Sequence, residues 1–188
     1  GFERTLAGIF PAGGAYDDAS FGGLGAGDGQ GGAGITPIVA NSWMHFMNAE
    51  VAVMTGGDPT AETLAGIRSH MNKVDDISGA PAMDQAAIDA YIANFTTEWT
   101  AASSLDAKLE LWAEEFWITQ RGNGIDAYNS YRRNGYPKNL QPMVEPDPGP
   151  FPVSMWYPQN YAANNSNVTQ KPDLTQRVFW NTNGPAVD

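Results

Sequence analysis

Residues 36–137 alternate between amphipathic stretches and short polar breaks. The clearest lies in residues 105–137, where Leu105, Leu109, Trp112 and Phe116 recur at i, i+4, i+7 and i+11. That is one face of a helix with about 3.6 residues per turn. Arg121 closes its last turn, and Gly122 stands at the C′ position where the chain leaves the helix. Ile125, Tyr128 and Arg132 mark a shorter helix, stopped by Asn134-Gly135 and Pro137. Five aromatics (Trp112, Phe116, Trp117, Tyr128, Tyr131) fall within 20 residues, too much apolar surface for a solvated linker.

The same reading applies upstream. Thr36-Pro37 predicts a helix start, with Thr as N-cap and Pro in the first turn. Val39, Trp43, Phe46 or Met47, Glu50 and Met54 continue one face to Gly56-Gly57. Asp58-Pro59 restarts a helix by the same logic, with Leu64, Ile67, Met71 and Val74 as its seam and Ser78-Gly79 as its end. Asp84 caps a third helix with Ile88, Tyr91 or Ile92, Phe95 and Trp99 on its face. Ser103 and Asp106 have the spacing of a capping box for the next. The fold class expected is mainly α, with four or five helices in antiparallel pairs. The short Gly-Gly-Asp-Pro turn joins the first two as an αα-hairpin.

Both ends differ from this middle. Residues 1–35 form a Gly-rich irregular segment in which eight glycines crowd residues 22–34 and Phe2, Phe10, Tyr16 and Phe21 are widely spaced. It reads as a flexible loop, or as a wall of a binding site where glycine lets backbone approach a ligand. After Pro137, prolines at 142, 146, 148, 150, 152 and 158 forbid a long helix. Residues 153–157 leave room for a brief strand, residues 160–167 read as polar turns, and Val178-Phe179-Trp180 as a last extended piece. The tail is expected to pack back onto the helices, because Phe151, Met155, Trp156, Tyr157, Tyr161, Phe179 and Trp180 would need burial. Residues 36–188 are therefore taken as one domain.

Composition narrows the function. A hydrophobic content of 42% with 11% aromatics fits a globular chain, and a net charge of −11 leaves no basic surface for nucleic acid. The absence of cysteine excludes disulfides and thiolate chemistry within the chain. No metalloprotease, nucleophile-elbow or phosphate-loop motif occurs, and His45 and His70 stand 25 residues apart without a third ligand at metal spacing. His45 reads as a satisfied surface histidine, and Glu50 as half of an ion pair with Arg68 or Arg121. Glu114 and Glu115 are adjacent, so on a helix they diverge by about 100° and cannot flank one glycosidic bond. They read as one solvated and one ion-paired carboxylate. Asp147 and Asp173 are isolated, weak calcium candidates. The expectation is a protein that is not an enzyme and carries no cofactor or metal. Six Trp and seven Tyr favour binding, since flat apolar rings suit the C–H faces of sugars. Most lie on helix seams and belong to the core. Those in irregular segments, Tyr16, Phe21 and Trp156, are the ligand candidates.

Several motifs together carry a resemblance. They are the run Trp117-Ile118-Thr119-Gln120-Arg121-Gly122-Asn123-Gly124, the run Ala127-Tyr128-Asn129-Ser130-Tyr131-Arg132-Arg133-Asn134-Gly135-Tyr136-Pro137, Phe151-Pro152-Val153, Tyr157-Pro158-Gln159, Val178-Phe179-Trp180-Asn181, and Ala49-Glu50 upstream. In this order they resemble the C-terminal region of the SusD/RagB family, over about residues 35–183. The resemblance implies helix pairs of tetratricopeptide type with a Pro-rich extension. It implies an outer-membrane lipoprotein that captures glycan at the cell surface and hands it to a TonB-dependent, SusC-like transporter. It further implies that the chain is the C-terminal portion of a longer protein, anchored by a lipidated N-terminal cysteine and holding only part of the ligand site. No ligand residue of the family maps onto a position here. Two other classes stay open: a helical docking scaffold with no ligand site of its own, and a glycoside hydrolase.

Overall fold

The structure is a computed structural model that describes residues 37–76, 82–141, 147 and 149–181. The described residues fall into two compact units, divided between Gly124 and Ile125. The first holds α1 (Asn41–Met54), α2 (Thr60–Asn72) continued by a 3-10 turn (Lys73–Asp76), α3 (Gln85–Ala101) and α4 (Leu105–Thr119). The second holds α5 (Gly124–Asn134), a long irregular segment and the short α6 (Gln159–Asn164). Among the described residues there is no strand, so the mainly α expectation holds.

Neighbouring helices of the first unit run antiparallel. The start of α1 meets the end of α2, where Asn41 Nδ2 donates to Ser69 Oγ at 3.0 Å. Arg68 of α2 pairs with Asp89 of α3 at 2.7 Å, and Trp99 Nε1 at the far end of α3 reaches back to Thr60 Oγ1 at 2.8 Å. Tyr91 of α3 donates to Glu115 of α4 at 2.6 Å. On the other side of α4, Trp43 Nε1 of α1 donates to the Thr119 carbonyl at 2.8 Å, and Trp112 Nε1 to the Phe46 carbonyl at 3.1 Å. Each indole N–H is thus satisfied while its ring is buried, the condition for tryptophan to serve as core. Phe46 stacks on Phe116 at 5.3 Å between centroids, and Trp112 packs against Phe116 at 5.5 Å. Burying each such ring contributes on the order of 2–3 kcal/mol.

Helix starts and stops follow local chemistry, with shifts from expectation. Asp84 accepts from the Ala86 N–H at 2.9 Å, as its place before α3 predicts. Asp58 accepts from both the N–H and the hydroxyl of Thr60, at 2.9 and 2.6 Å, and so opens α2. The cap of α4 is Ser104, not Ser103: the Ser104 hydroxyl lies 3.1 Å from the Ala107 N–H, which displaces the expected box by one residue. The start expected at Thr36-Pro37 is also displaced. Thr36 lies outside the described residues, Ile38 and Val39 are exposed, and α1 begins only at Asn41, beside the first buried side chains Ser42 and Trp43. The Pro37 carbonyl instead accepts from Asn123 Nδ2 at 3.3 Å. Gly122 at φ +89° and Gly135 at φ +77° turn the chain after α4 and α5 through the left-handed conformation that glycine adopts without strain. The stop at Ser78-Gly79 lies outside the described residues; α2 itself ends at Asn72.

One glycine sets the spacing of α1 and α2. A Cβ on Gly66 would sit 2.6 Å from Phe46 Cε2 and 2.8 Å from Cδ2, inside van der Waals contact with a ring already stacked on Phe116. Alanine in mid-helix favours the helix by about 1 kcal/mol, whereas overpacking costs about 1–3 kcal/mol. Gly66→Ala is therefore expected to lower unfolding stability by up to about 2 kcal/mol, read from the urea midpoint. A variant as stable as wild type would mean that Phe46 has room to move.

Candidate functional site

The second unit is built outward from α5. Tyr128 donates its hydroxyl to the Pro152 carbonyl at 2.6 Å, and Tyr131 meets the Phe151 ring edge-on at 5.0 Å. Arg132 Nη1 donates to the Val153 carbonyl at 3.1 Å and Nη2 to Asn129 Oδ1 at 2.8 Å. Its guanidinium also lies over two rings, 4.9 Å from Tyr128 and 4.4 Å from Trp180. The N–H groups of Val153 and Ser154 both donate to the Leu174 carbonyl, at 3.0 and 3.1 Å. Val153, Ser154, Pro137 and Asn181 are fully or almost fully buried. The irregular chain is thus fixed onto α5 by residues 151–154, 174 and 180–181.

Beyond Ser154 the aromatics turn outward. Trp156 is 49% exposed, Tyr157 39% and Tyr161 49%, while Phe179 is 94% exposed. Burial was expected for these residues, and for Met155 and Trp180. The physical reason for the difference is the anchoring just described: Phe151 packed on Tyr131, together with the hydrogen bonds at Pro152, Val153 and Ser154, holds the segment, so the rings beyond Ser154 are not needed as core. The brief strand does not form, because the backbone groups of Tyr157 pair with a side chain. Gln170 Oε1 accepts from the Tyr157 N–H at 3.0 Å, and Gln170 Nε2 donates to the Tyr157 carbonyl at 2.9 Å. Of residues 160–167, expected as polar turns, the first five belong to α6, whose first turn is closed by N–H groups of Tyr161 and Ala162 donating to the Pro158 carbonyl at 3.0 Å. The last extended piece is likewise a turn, closed by the Asn181 N–H on the Val178 carbonyl at 3.0 Å.

This local order places Tyr161 edge-on to Tyr157, 6.2 Å between centroids and 67° between planes. Lys171 Nζ lies 5.1 Å over the Tyr157 ring. Gln159, Asn160, Asn164 and Asn167 are exposed along the same segment. The arrangement offers ring faces for apolar C–H surface and amides that both donate and accept toward hydroxyls. Of the three residues singled out from the sequence, Trp156 is exposed here, next in the chain to Tyr157, while Tyr16 and Phe21 lie outside the described residues. Tyr157, Tyr161 and Lys171 were missed. A usable signal was present: residues 155–167 contain Met155 and alanines but no Leu, Ile or Val for those rings to pack against.

Several titratable groups among the described residues of the first unit have side-chain partners. His45 Nδ1 meets Glu62 Oε2 at 2.8 Å, as expected of a satisfied histidine. Arg68 is taken by Asp89. The partner of Glu115 is the Tyr91 phenol rather than a cation. Burial and the neighbouring charges of Glu114 and Glu98 push the Glu115 carboxyl above its ordinary range, and the Tyr91 hydrogen bond opposes them. Burial, and the hydrogen bond and charge of Glu115, push the Tyr91 phenol up in turn. His70 is held down to about 4, first by burial and then by the charge of Lys73, and its Nδ1 has no hydrogen-bond partner. In the tail, hydrogen bonds from the hydroxyl and N–H of Thr175, at 2.6 and 2.8 Å, hold the Asp173 carboxyl below its usual range. Asp147 is exposed, at φ 50°. Among the described residues no three His, Asp or Glu side chains gather to hold a metal, and no helix is long and apolar enough to cross a membrane.

No family model matches the chain, and none of the curated proteins matches it.

The shifts of Glu115 and His70 have opposite signs. Glu115 holds its proton in the folded state above the unfolded value of 4.5, so its stabilising balance is complete below that pH and is lost as pH rises through the folded value. Glu115→Gln keeps an acceptor for Tyr91 and is expected to gain stability over wild type steadily above pH 4.5. A pH-independent difference between the two would contradict this. His70 stays neutral in the fold, so its contribution is complete above the unfolded value of 6.5 and is lost as pH falls toward about 4. His70→Gln is expected to flatten the fall in urea-unfolding stability over that interval by up to about 3 kcal/mol. An unchanged slope would mean that His70 is hydrated.

Proposed function

We propose that the chain is part of a SusD-like nutrient-binding lipoprotein of the outer membrane, and that it binds oligosaccharide without making or breaking bonds. The observation that carries the binding half of this reading is the exposed aromatic group Trp156, Tyr157 and Tyr161, set in an amide-rich segment whose backbone is fixed by other residues. Rings that do not serve as core and are held in place can stack on a sugar at little entropic cost. The family half rests on the ordered motifs of residues 49–181, with the antiparallel pair α1/α2, and α3 and α4 packed against it, as the helical scaffold. In this reading the helical unit docks on a TonB-dependent transporter, and the tail of the second unit presents the ligand for hand-over.

A second reading is favoured by one specific observation. Met44, Met47, Val51 and Met54 line one exposed stripe of α1, preceded by exposed Ile38 and Val39. A stripe of this kind suits a docking scaffold. The two readings are compatible if the scaffold docks and the tail binds.

Titration of the chain with a panel of neutral and acidic oligosaccharides, followed by calorimetry, is the test. Saturable binding is expected, weakened by Trp156→Ala and by Tyr157→Ala about 5- to 30-fold each, the equivalent of about 1–2 kcal/mol. Phe179→Ala, at an exposed ring outside the group, is expected to bind as wild type. No binding across the panel, or equal effects of all three substitutions, would remove the carbohydrate reading and leave the docking scaffold.

A further inference from the structure

The charge of the chain is divided very unevenly. Residues 1–124 hold 16 of the 21 acids and five of the ten Lys and Arg, whereas residues 125–188 hold five of each. The whole net charge of −11 therefore belongs to the first unit. The segment that carries the exposed rings goes further. Residues 148–172 contain no Asp or Glu, although an even spread of 21 acids over 188 residues would put about three there. Their one charged side chain is Lys171, and it lies over the Tyr157 ring, 5.1 Å from its centroid.

Lys171 is also positioned. Its N–H donates to Gln170 Oε1 at 3.0 Å, and the same amide clamps the backbone of Tyr157, so cation and ring share one support. Among the described residues no carboxylate pairs with Lys171. The acid nearest in sequence, Asp173, has one oxygen, Oδ1, held by the N–H and hydroxyl of Thr175. A lone ammonium beside an aromatic face, in a segment cleared of carboxylates, is complementary to a ligand that is both flat-faced and anionic. The charge of more distant acids is screened beyond about 8 Å at physiological salt.

We infer that the saccharide held by this surface is acidic, with a hexuronate carboxylate placed on Lys171 and a neighbouring sugar face on the Tyr157–Tyr161 pair. The inference rests on the carbohydrate reading above and deepens it. The charge-assisted hydrogen bond from Lys171 to the carboxylate supplies the preference, and the amides of the segment serve the hydroxyls.

The test compares oligogalacturonate with its fully methyl-esterified form, which has the same sugars without the charge, on the whole chain at low salt. The acid form is expected to bind about tenfold more tightly. Lys171→Gln is expected to abolish that difference, Lys171→Arg to retain it, and salt near 0.5 M to narrow it. Equal affinity for acid and ester, or a difference that survives Lys171→Gln, would overturn the inference and leave the carbohydrate reading standing. Binding of neither form, with no neutral sugar bound, would overturn both.

Discussion

Arg132 is the side chain on which the second unit depends. One guanidinium donates to the Val153 carbonyl and to Asn129, and lies against the rings of Tyr128 and Trp180. It thereby ties α5 to two separate parts of a chain that has almost no regular structure of its own. Irregular backbone must still satisfy its N–H and C=O groups, and here side chains do so. The Leu174 carbonyl takes two N–H groups, Tyr128 serves the Pro152 carbonyl, and Gln170 serves both sides of Tyr157. Because these bonds, with Phe151 packed on Tyr131 and Trp180 against Arg132, hold the segment, the rings of residues 156–161 are left for other use. The functional reading follows from that division of labour.

The first unit works by the opposite rule. Its rings are its core: Trp43, Phe46, Phe95, Trp99, Trp112 and Phe116 are buried, and the three indole N–H groups each find an acceptor on a neighbouring helix. The indoles thus both fill space and fix register between antiparallel helices. Gly66 lets α2 approach the Phe46 ring closely enough for this to close. Polar exceptions inside the unit are local. Glu115 rests on a phenol and His70 is held neutral.

Much of the first unit was legible in the sequence. Helix seams were read from residues such as Ile67, Ile88, Phe95, Trp99, Trp112 and Phe116, because burial and 3.6-residue periodicity coincide there. Boundaries were less legible: α1 starts where tertiary burial begins rather than at a favourable Thr-Pro pair, and two adjacent serines compete for one cap at α4. In the tail, composition misled. Aromatics in a proline-rich stretch look like a wrapping core, and only the bonds of Arg132, Leu174 and Gln170, which have no periodic signature, show that the stretch is anchored elsewhere. Trp156 was singled out for its place in an irregular segment; Tyr157 and Tyr161 were not, although the lack of aliphatic neighbours set them apart as well.

Hydroxyl-radical footprinting of the whole chain, read residue by residue with and without acidic oligosaccharide, tests the central claim most directly. Trp156, Tyr157 and Tyr161 should oxidise fast in the free protein, Trp43, Trp99 and Trp112 slowly, and saccharide should protect the first group alone. Slow oxidation at residues 156–161 in the free protein, or protection spread evenly over both groups, would contradict it.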